Sequence, residues 1–144
     1  MRITDVLRDK GGSVVSVPPD RTVAELLALL AEHGIGAAVV SGDGSTVDGI
    51  VSERDVVRAL AERGAAVLGE PVRGICTVEV HTVGPEASLE ELVRVMTVER
   101  VRHVPVLVDG RLTGIVSIGD VVKRRMVELE QERAALSQYI TAGG

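Results

Sequence analysis

The chain of 144 residues contains no phenylalanine, no tryptophan and a single tyrosine, Tyr139. Proteins that bind single-stranded nucleic acid stack the bases on aromatic side chains, and this sequence has almost none to offer. Its interior must be built from Val, Leu, Ile and Ala, within a composition that is 45% hydrophobic and 26% charged. These proportions are typical of a soluble globular protein.

Basic residues are also fewer than acidic residues, and the formal net charge is −5. This balance argues against non-specific binding to nucleic acid or to anionic membranes. The first ten residues lack the apolar run of a signal peptide, and no stretch approaches the roughly 18 apolar residues of a membrane span. The one cysteine, Cys76, can form no intrachain disulfide. We therefore expect a protein of the reducing cytoplasm that does not contact the membrane.

Catalytic and metal-binding patterns are missing too. The three histidines, His33, His81 and His103, have no metal-ligand spacing relative to one another or to Cys76. The glycine-rich phosphate loop, the dinucleotide-binding fingerprint and the zinc-protease motif are all absent. We therefore expect no enzymatic activity, no metal and no catalytic cofactor.

A tandem repeat organises the chain. PPDRTVAELLALL at residues 18–30 aligns with GPEASLEELVRVM at residues 84–96, at an offset of 66. The apolar positions of both segments have the i, i+3, i+4, i+7 spacing of one buried helix face. One residue is then dropped, and GIVSERD at residues 49–55 aligns with GIVSIGD at residues 114–120. The sequence therefore predicts two copies of one structural unit.

Each copy is predicted to fold as strand, helix, strand, strand, helix, so the protein is α/β with a small mixed sheet in each repeat. Thr22 and Ser88 each precede a Glu by three residues, which predicts a capping box at the start of a helix. The predicted strands are 14–17, 36–40, 47–51, 78–83, 103–108 and 111–116, and the predicted helices are 22–33, 52–63, 88–99 and 117 to about 140. We divide the chain into repeat one (1–64), a linker (65–76), repeat two (77–125) and a C-terminal helix extension with a frayed tail (126–144).

The last helix carries an apolar seam with the heptad-like spacing 4-3-4-3-4. Its members are Val122, Met126, Leu129, Arg133, Leu136 and Ile140. Such a seam fits either packing on the chain's own sheet or a homodimer contact, and Arg133 interrupts a strict coiled coil. The basic run at 123–125 is interpreted as a solvated helix face rather than a nucleic-acid contact.

The repeated frame Gly-Ile-Val-Ser-x-x-Asp allows a structural and a functional interpretation, which are compatible. Ser52 and Ser117 can cap the helices that follow, and Asp55 and Asp120 then stabilise the helix dipoles. The same strand-to-helix junction offers free N–H groups to an anion such as phosphate.

Neighbouring residues favour a ligand. The frame glycines, Gly49 and Gly114, suggest that something approaches the backbone closely. Cationic side chains gather nearby in an acidic protein, namely Arg54, Arg100, Arg102 and His103. Because a carboxylate repels phosphate but accepts hydrogen bonds from a ribose diol, a nucleotide satisfies all of these groups.

The two frames, together with VRHVPVLVDGRLTGIVSIGD at residues 101–120, resemble a tandem CBS-domain pair, or Bateman module, over about residues 3–125. The closest likeness is to the small stand-alone bacterial CBS-pair proteins. The resemblance implies two sheets around a pseudo-twofold axis, two clefts between the repeats, and a disc-like homodimer. It also implies an adenosine ligand such as AMP, ADP, ATP, NAD(H) or S-adenosylmethionine, of which we expect AMP, with the motif Asp holding the ribose.

Carried onto this sequence, the resemblance implies two clefts. The Asp120 cleft would use Ile115, Ser117, Gly119, Asp120 and Arg102, with Ser13, Val14, Gly36 and Ala37 as adenine walls. The Asp55 cleft would use Ile50, Ser52, Arg54, Asp55, Val80, Val101, Arg102 and His103. We favour the Asp120 cleft slightly, because it keeps Arg102 beside the small walls Gly36 and Ala37. Occupancy of both clefts stays open, since the copies differ in cationic residues.

The resulting hypothesis is a regulatory signal-transduction module. An adenine nucleotide would bind between the repeats, alter their pose or the dimer, and so signal to a protein target that the sequence does not identify. The alternative is a ligand-free homodimeric scaffold, in which the Ser-x-x-Asp frames only cap helices.

Overall fold

The computed structural model describes residues 2–10 and 14–143, without the side chain of Asp9. Along the chain the elements are α1 (Ile3–Lys10), β1 (Ser16–Val17), α2 (Val23–His33), β2 (Ala37–Val40), β3 (Gly49–Ser52), α3 (Glu53–Arg63), two short 3-10 helices (Ala65–Gly69 and Val72–Gly74), α4 (Leu89–Val98), β4 (His103–Val108), β5 (Arg111–Ser117) and α5 (Ile118–Gly143). The α/β class is confirmed, and both repeats contain a helix, two antiparallel strands and a second helix in the predicted order. Helix α1 was not predicted.

The first helix of each repeat begins as the sequence predicts. The Thr22 side chain accepts a hydrogen bond from the Glu25 N–H at 3.1 Å, and the Ser88 side chain accepts one from the Glu91 N–H at 3.1 Å. These bonds satisfy N–H groups that have no partner inside the helix. The buried faces are Val23, Leu26 and Leu30 in α2, and Leu89, Leu92 and Met96 in α4. Helix capping and apolar spacing therefore position both helices on their sheets.

The two sheets are not equal. In repeat one, β2 lies between β1, to which it is parallel, and β3, to which it is antiparallel. In repeat two only the antiparallel pair β4–β5 forms a sheet. The strand predicted at 78–83 is wrong, because this segment pairs with β4 only through an isolated bridge between Val83 and Val106.

A proline explains the lost strand. In repeat one the Val39 N–H donates to the Val15 carbonyl at 3.4 Å, which extends the strand pairing from Val17 back to Val15. The residue aligned with Val39 is Pro105, which has no N–H to donate. In repeat two the pairing therefore reaches back only as far as Val83, whose N–H and carbonyl make the two backbone hydrogen bonds to β4.

Each repeat has its own apolar core, and each core is completed by the segment that precedes the other repeat. Ile3 of α1 is buried in the core of repeat two, and Val72 is buried in the core of repeat one. The Ile3 N–H donates to the Ala87 carbonyl at 3.1 Å, and the Val72 N–H donates to the Arg21 carbonyl at 2.8 Å. Since Arg21 and Ala87 are aligned by the repeat, α1 is equivalent to the segment 69 residues further along.

Helix α5 extends away from the packed body. Val121 is its one buried residue within the described part of the chain. The apolar seam residues are exposed, at 52% for Val122, 57% for Met126, 48% for Leu129, 64% for Leu136 and 65% for Ile140. The interpretation that this seam packs on the chain's own sheet is therefore wrong. Among the described residues, no helix is both long and apolar enough for a membrane span.

Candidate functional site

Both Ser-x-x-Asp frames form the predicted helix caps. The Ser52 N–H donates to Asp55 Oδ2 at 2.8 Å, and the Asp55 N–H returns a bond to Ser52 Oγ at 3.3 Å. Ser117 and Asp120 make the same pair of bonds, at 2.8 and 3.2 Å. In both caps the carboxylate accepts through Oδ2, and each carboxylate has a second oxygen that can accept from a ligand.

The frame glycines are required by the chain itself. A Cβ on Gly49 would lie 2.9 Å from the Thr77 carbonyl oxygen, and a Cβ on Gly114 would lie 2.6 Å from Leu7 Cδ2. The contact at Gly49 is with backbone and excludes a side chain, whereas the one at Gly114 requires the Leu7 side chain to shift; in both cases the close approach predicted from sequence is present. The neighbour that approaches is protein, however, and these glycines give no support for a ligand.

A cavity of about 300 Å³ lies between the repeats, in the Asp55 cleft. Its lining includes all eight residues predicted for that cleft, namely Ile50, Ser52, Arg54, Asp55, Val80, Val101, Arg102 and His103. Gly36 and Ala37, predicted as walls of the Asp120 cleft, line the same cavity. The reason for favouring the Asp120 cleft therefore applies equally to the Asp55 cleft.

Six lining residues were not assigned to a cleft from the sequence, although Arg100 was noted as a nearby cation; they are Glu53, Arg58, Thr77, Glu79, His81 and Arg100. Arg58 follows Asp55 by three residues on α3. This spacing places both residues on one face of the helix, so Arg58 could have been predicted from the sequence. Thr77, Glu79 and His81 line the cavity as a segment without regular structure, which the incorrect strand prediction obscured.

The cavity is rich in cations for a chain with net charge −5. Its lining holds four guanidinium groups, those of Arg54, Arg58, Arg100 and Arg102, and three carboxylates, those of Glu53, Asp55 and Glu79. Among the described residues, none of the four guanidinium groups makes an ion pair or a side-chain hydrogen bond. Four unpaired guanidinium groups, which outnumber the carboxylates of the cleft by one, suit an anionic ligand.

The backbone of Arg100 is in the left-handed conformation, with φ of 55°. The aligned residue of repeat one is Gly34, with φ of 62°. Both residues end a helix by the same turn. The N–H of the residue after Arg100 donates to the Met96 carbonyl, and the N–H of the residue after Gly34 donates to the Leu30 carbonyl. Glycine adopts this left-handed conformation without strain, whereas a residue with a side chain loses about 1 kcal/mol of folding free energy there.

His103 lies where the two clefts meet. It pairs with Ser117 across β4 and β5, and it also lines the Asp55 cleft. Burial is the main cause that lowers the pKa of His103; the positive charges of Lys10 and Arg102 also lower it, while Asp120 and Glu53 oppose them. The imidazole is therefore neutral at neutral pH.

The Asp120 carboxylate is occupied by a cation from the chain itself. Lys10 Nζ donates to Asp120 Oδ2 at 2.8 Å and to the Ile115 carbonyl at 2.8 Å. Burial raises the pKa of Asp120, but the hydrogen bonds from Lys10 and Ser117 together outweigh it, so the pKa is lowered. Asp120 is thus a stable anion held by an internal ammonium group.

The equivalent position in the Asp55 cleft has the opposite charge. A shift of 69 residues along the chain relates Leu7, which approaches Gly114, to Cys76, which approaches Gly49. The same shift relates Lys10 to Glu79. Asp120 therefore has an ammonium group where the other cleft has a carboxylate. This charge reversal is the clearest difference between the two clefts.

The other residues predicted for the Asp120 cleft are dispersed. Gly119 lies on an open groove with Arg102 and the start of α5, and Val14 is half-buried ahead of β1. Ser13 lies outside the described residues. The structure thus brings Ile115, Ser117 and Asp120 together around Lys10, and it gathers the Asp55 set around a cavity.

Comparison with known proteins identifies the repeats. The family model of the CBS domain matches residues 3–62 and 72–127. The mitochondrial CBS domain-containing protein CBSX3 of Arabidopsis thaliana is 36% identical over 98% of this chain and 72% of its own length. Among solved structures, a CBS-domain-containing protein from Agrobacterium tumefaciens is 45% identical with a TM-score of 0.83, covering 87% of this chain and 99% of that chain.

A further solved structure includes a ligand. The CBS domain protein from Pyrobaculum aerophilum, complexed with AMP, is 31% identical with a TM-score of 0.79. It covers 90% of this chain and 97% of that chain. CBS pairs are regulatory ligand-binding modules, and stand-alone CBS-pair proteins are generally regulatory rather than catalytic. The chain belongs to the CBS-domain family, and its two repeats form a CBS pair.

Proposed function

We propose that this protein is a regulatory module that binds a phosphorylated adenosine, with AMP as the first ligand to test, in the Asp55 cleft. The observation that carries this proposal is the cavity between the repeats, whose lining combines the Asp55 carboxylate with four guanidinium groups that make no ion pair among the described residues. The AMP complex of the relative from Pyrobaculum aerophilum supports the choice of ligand. No catalytic step is part of the proposal.

The cavity offers a partner for each part of the nucleotide. The second oxygen of Asp55 can accept hydrogen bonds from the ribose diol while Oδ2 keeps the helix cap. The N–H of Arg54 lies in the first turn of α3, where it has no intrahelical carbonyl to bond, and it can donate to phosphate. Val80 and Val101 supply apolar walls for adenine.

We propose one nucleotide per chain, in the Asp55 cleft rather than the Asp120 cleft that the sequence slightly favoured. A ribose diol can donate to the second oxygen of either carboxylate, but at Asp120 the Lys10 ammonium group already compensates the charge through Oδ2 at 2.8 Å, which weakens that carboxylate as an acceptor. In the Asp55 cleft the equivalent residue is Glu79, which repels the carboxylate instead of occupying it.

Ligand binding can change the protein's surface by shifting α5. Arg102 lines the Asp55 cleft, and its carbonyl accepts the N–H of Ile118, the first residue of α5, at 2.8 Å. A ligand that binds one pose of Arg102 better than another therefore shifts the position of α5, which a partner protein can read. We place this sensing in the cytoplasm, where the free thiol of Cys76 stays reduced.

We further propose that a second copy of the chain covers the exposed seam of α5. The basic run at 123–125 is followed by Glu128, Glu130 and Glu132, so an antiparallel copy of the helix sets opposite charges against each other. A parallel pair in register would oppose the two Arg133 side chains, which is unfavourable. The open groove of about 700 Å³ between α4 and α5, which includes Val93 and Met126, extends this apolar surface.

Isothermal titration calorimetry with AMP tests the nucleotide proposal. Asp55→Ala should weaken binding by about 1.5–3 kcal/mol, or roughly 10- to 150-fold, because hydrogen bonds to a charged group are lost. Asp55→Asn, which retains an acceptor for the cap, separates ligand binding from folding. Asp20→Ala, an exposed acid outside the cleft, is the matched control.

A thermal-shift panel of AMP, ADP, ATP, NAD, NADH and S-adenosylmethionine separates the proposal from the ligand-free scaffold. Stabilisation by at least one of these compounds is expected, because a ligand that binds only the folded state raises its melting temperature. If none of them shifts the melting temperature, the scaffold is the better description.

A further inference from the structure

We infer that the Asp55 cleft selects its ligand by phosphate, and that Arg100 is a phosphate-binding residue that sets this specificity. The inference rests on the proposed function and goes one step further, since it ranks the adenosine compounds by charge. It assigns a role to a residue outside the repeated Ser-x-x-Asp frames.

Arg100 is not needed to form the turn in which it lies. Gly34 makes the same helix-ending turn in repeat one, with the same backbone hydrogen bond and without left-handed strain. An L-residue at this position weakens the fold, so the fold alone does not account for arginine. What arginine adds is a guanidinium group on the wall of the cavity.

The guanidinium group of Arg100 has no partner among the described residues, neither a carboxylate nor a hydrogen-bond acceptor. Nearby Glu99 is engaged with His81 at 3.3 Å. Arg100 is therefore available to a ligand, and its planar fork matches the geometry of a phosphate group.

The surrounding charge sets the order of ligands. The cleft contains four guanidinium groups against three carboxylates, which leaves a formal charge of +1. A phosphate dianion compensates the remaining positive charge, a neutral nucleoside leaves it uncompensated, and the sulfonium of S-adenosylmethionine adds to it. We expect AMP to bind at least about tenfold more tightly than adenosine, and S-adenosylmethionine to bind more weakly than AMP.

Arg100→Gly tests the assignment, because a structural role and a ligand role predict opposite results. We expect the melting temperature to rise by about 2–4 °C as the strain is relieved. We expect AMP affinity to fall by about 5- to 30-fold while adenosine affinity stays the same. Arg100→Lys, which keeps the charge but loses the planar fork, should show an intermediate loss.

Asp109→Gly is the matched control. Asp109 is the other non-glycine residue with positive φ among those described, at 51°, and it lies in the turn between β4 and β5, outside the lining of the cleft. This change relieves the same kind of backbone strain and should leave AMP affinity unchanged.

Three outcomes would overturn the inference. These are an unchanged AMP affinity in Arg100→Gly, an equal loss of AMP and adenosine affinity, and a lower melting temperature. In each case wild-type AMP binding that depends on Asp55 would leave the proposed function intact. If the wild-type protein binds neither AMP nor adenosine, the proposed function fails first and the inference falls with it.

Discussion

Removing the internal cation should open the second cleft. Lys10→Gln breaks two hydrogen bonds of 2.8 Å, to Asp120 and to the Ile115 carbonyl. The side chains of Lys10 and Asp120 are 36% and 21% exposed, so the pair lies between a surface ion pair, worth about 0.2–1 kcal/mol, and a buried charged bond of about 1.5–3 kcal/mol. We take about 1 kcal/mol as the free energy by which Lys10 already satisfies Asp120 in the free protein, which weakens nucleotide binding at Asp120 about fivefold.

Calorimetry measures the consequence as a stoichiometry. The wild-type protein should bind one AMP per chain, and Lys10→Gln should bind a second AMP more weakly than the first. Urea unfolding should show a loss of about 1 kcal/mol in the variant, because the ion pair is gone. Arg8→Gln is the control, since it removes the same charge from the exposed face of the same helix.

The reciprocal change should close the first cleft. Glu79→Lys places an ammonium group at the position equivalent to Lys10, where it can occupy Asp55 as Lys10 occupies Asp120. AMP affinity should then fall by about fivefold. A stoichiometry that stays at one in Lys10→Gln, together with tighter AMP binding in Glu79→Lys, would refute the reasoning.

Two further results are expected. His103 is neutral in the free protein because burial lowers its pKa, and a phosphate dianion favours the imidazolium, so AMP binding should take up a proton and strengthen as the pH falls from 8 towards 6.5. The test is calorimetry in two buffers of different ionisation enthalpy, and an equal pH slope in His103→Gln would contradict it. Leu129→Glu should convert a dimer to a monomer in light scattering, because it buries charge in the α5 seam. The exposed Gln131→Glu should not, and a Leu129→Glu protein that keeps the wild-type mass would contradict the proposed dimer.

Much of the fold could be predicted because the repeat supplies its own check. The caps at Thr22 and Ser88 are local signals, and the alignment of the two copies confirmed each against the other. Helix α1 could not be found this way, because its structural equivalent, residues 72–79, contains only the short 3-10 helix Val72–Gly74. The strand at 78–83 was predicted from the repeated order of elements, whereas the missing N–H of Pro105 decided the outcome.

The candidate site divides in the same way. The Asp55 set was predicted because the frame repeats; Arg100 was noted as a nearby cation, but its alignment with a glycine that ends a helix was not used. The contact between Lys10 and Asp120 joins residues 110 positions apart, and no local pattern encodes it. The sequence therefore predicted two sets of cleft residues, whereas the difference between them depends on a tertiary ion pair.

The proline in β4 has a consequence for how the cavity can accommodate ligands of different size. Because Pro105 donates no hydrogen bond, residues 78–82 make no backbone hydrogen bonds to the described parts of the chain. Backbone hydrogen bonds fasten the segment only at its ends, by Thr77 pairing with Ile50 and by Val83 pairing with β4, and one side-chain contact, between His81 and Glu99 at 3.3 Å, holds its middle. The wall that carries Glu79, Val80 and His81 can therefore move outward without breaking a backbone hydrogen bond, and the volume of the cleft is adjustable at the cost of one exposed side-chain contact.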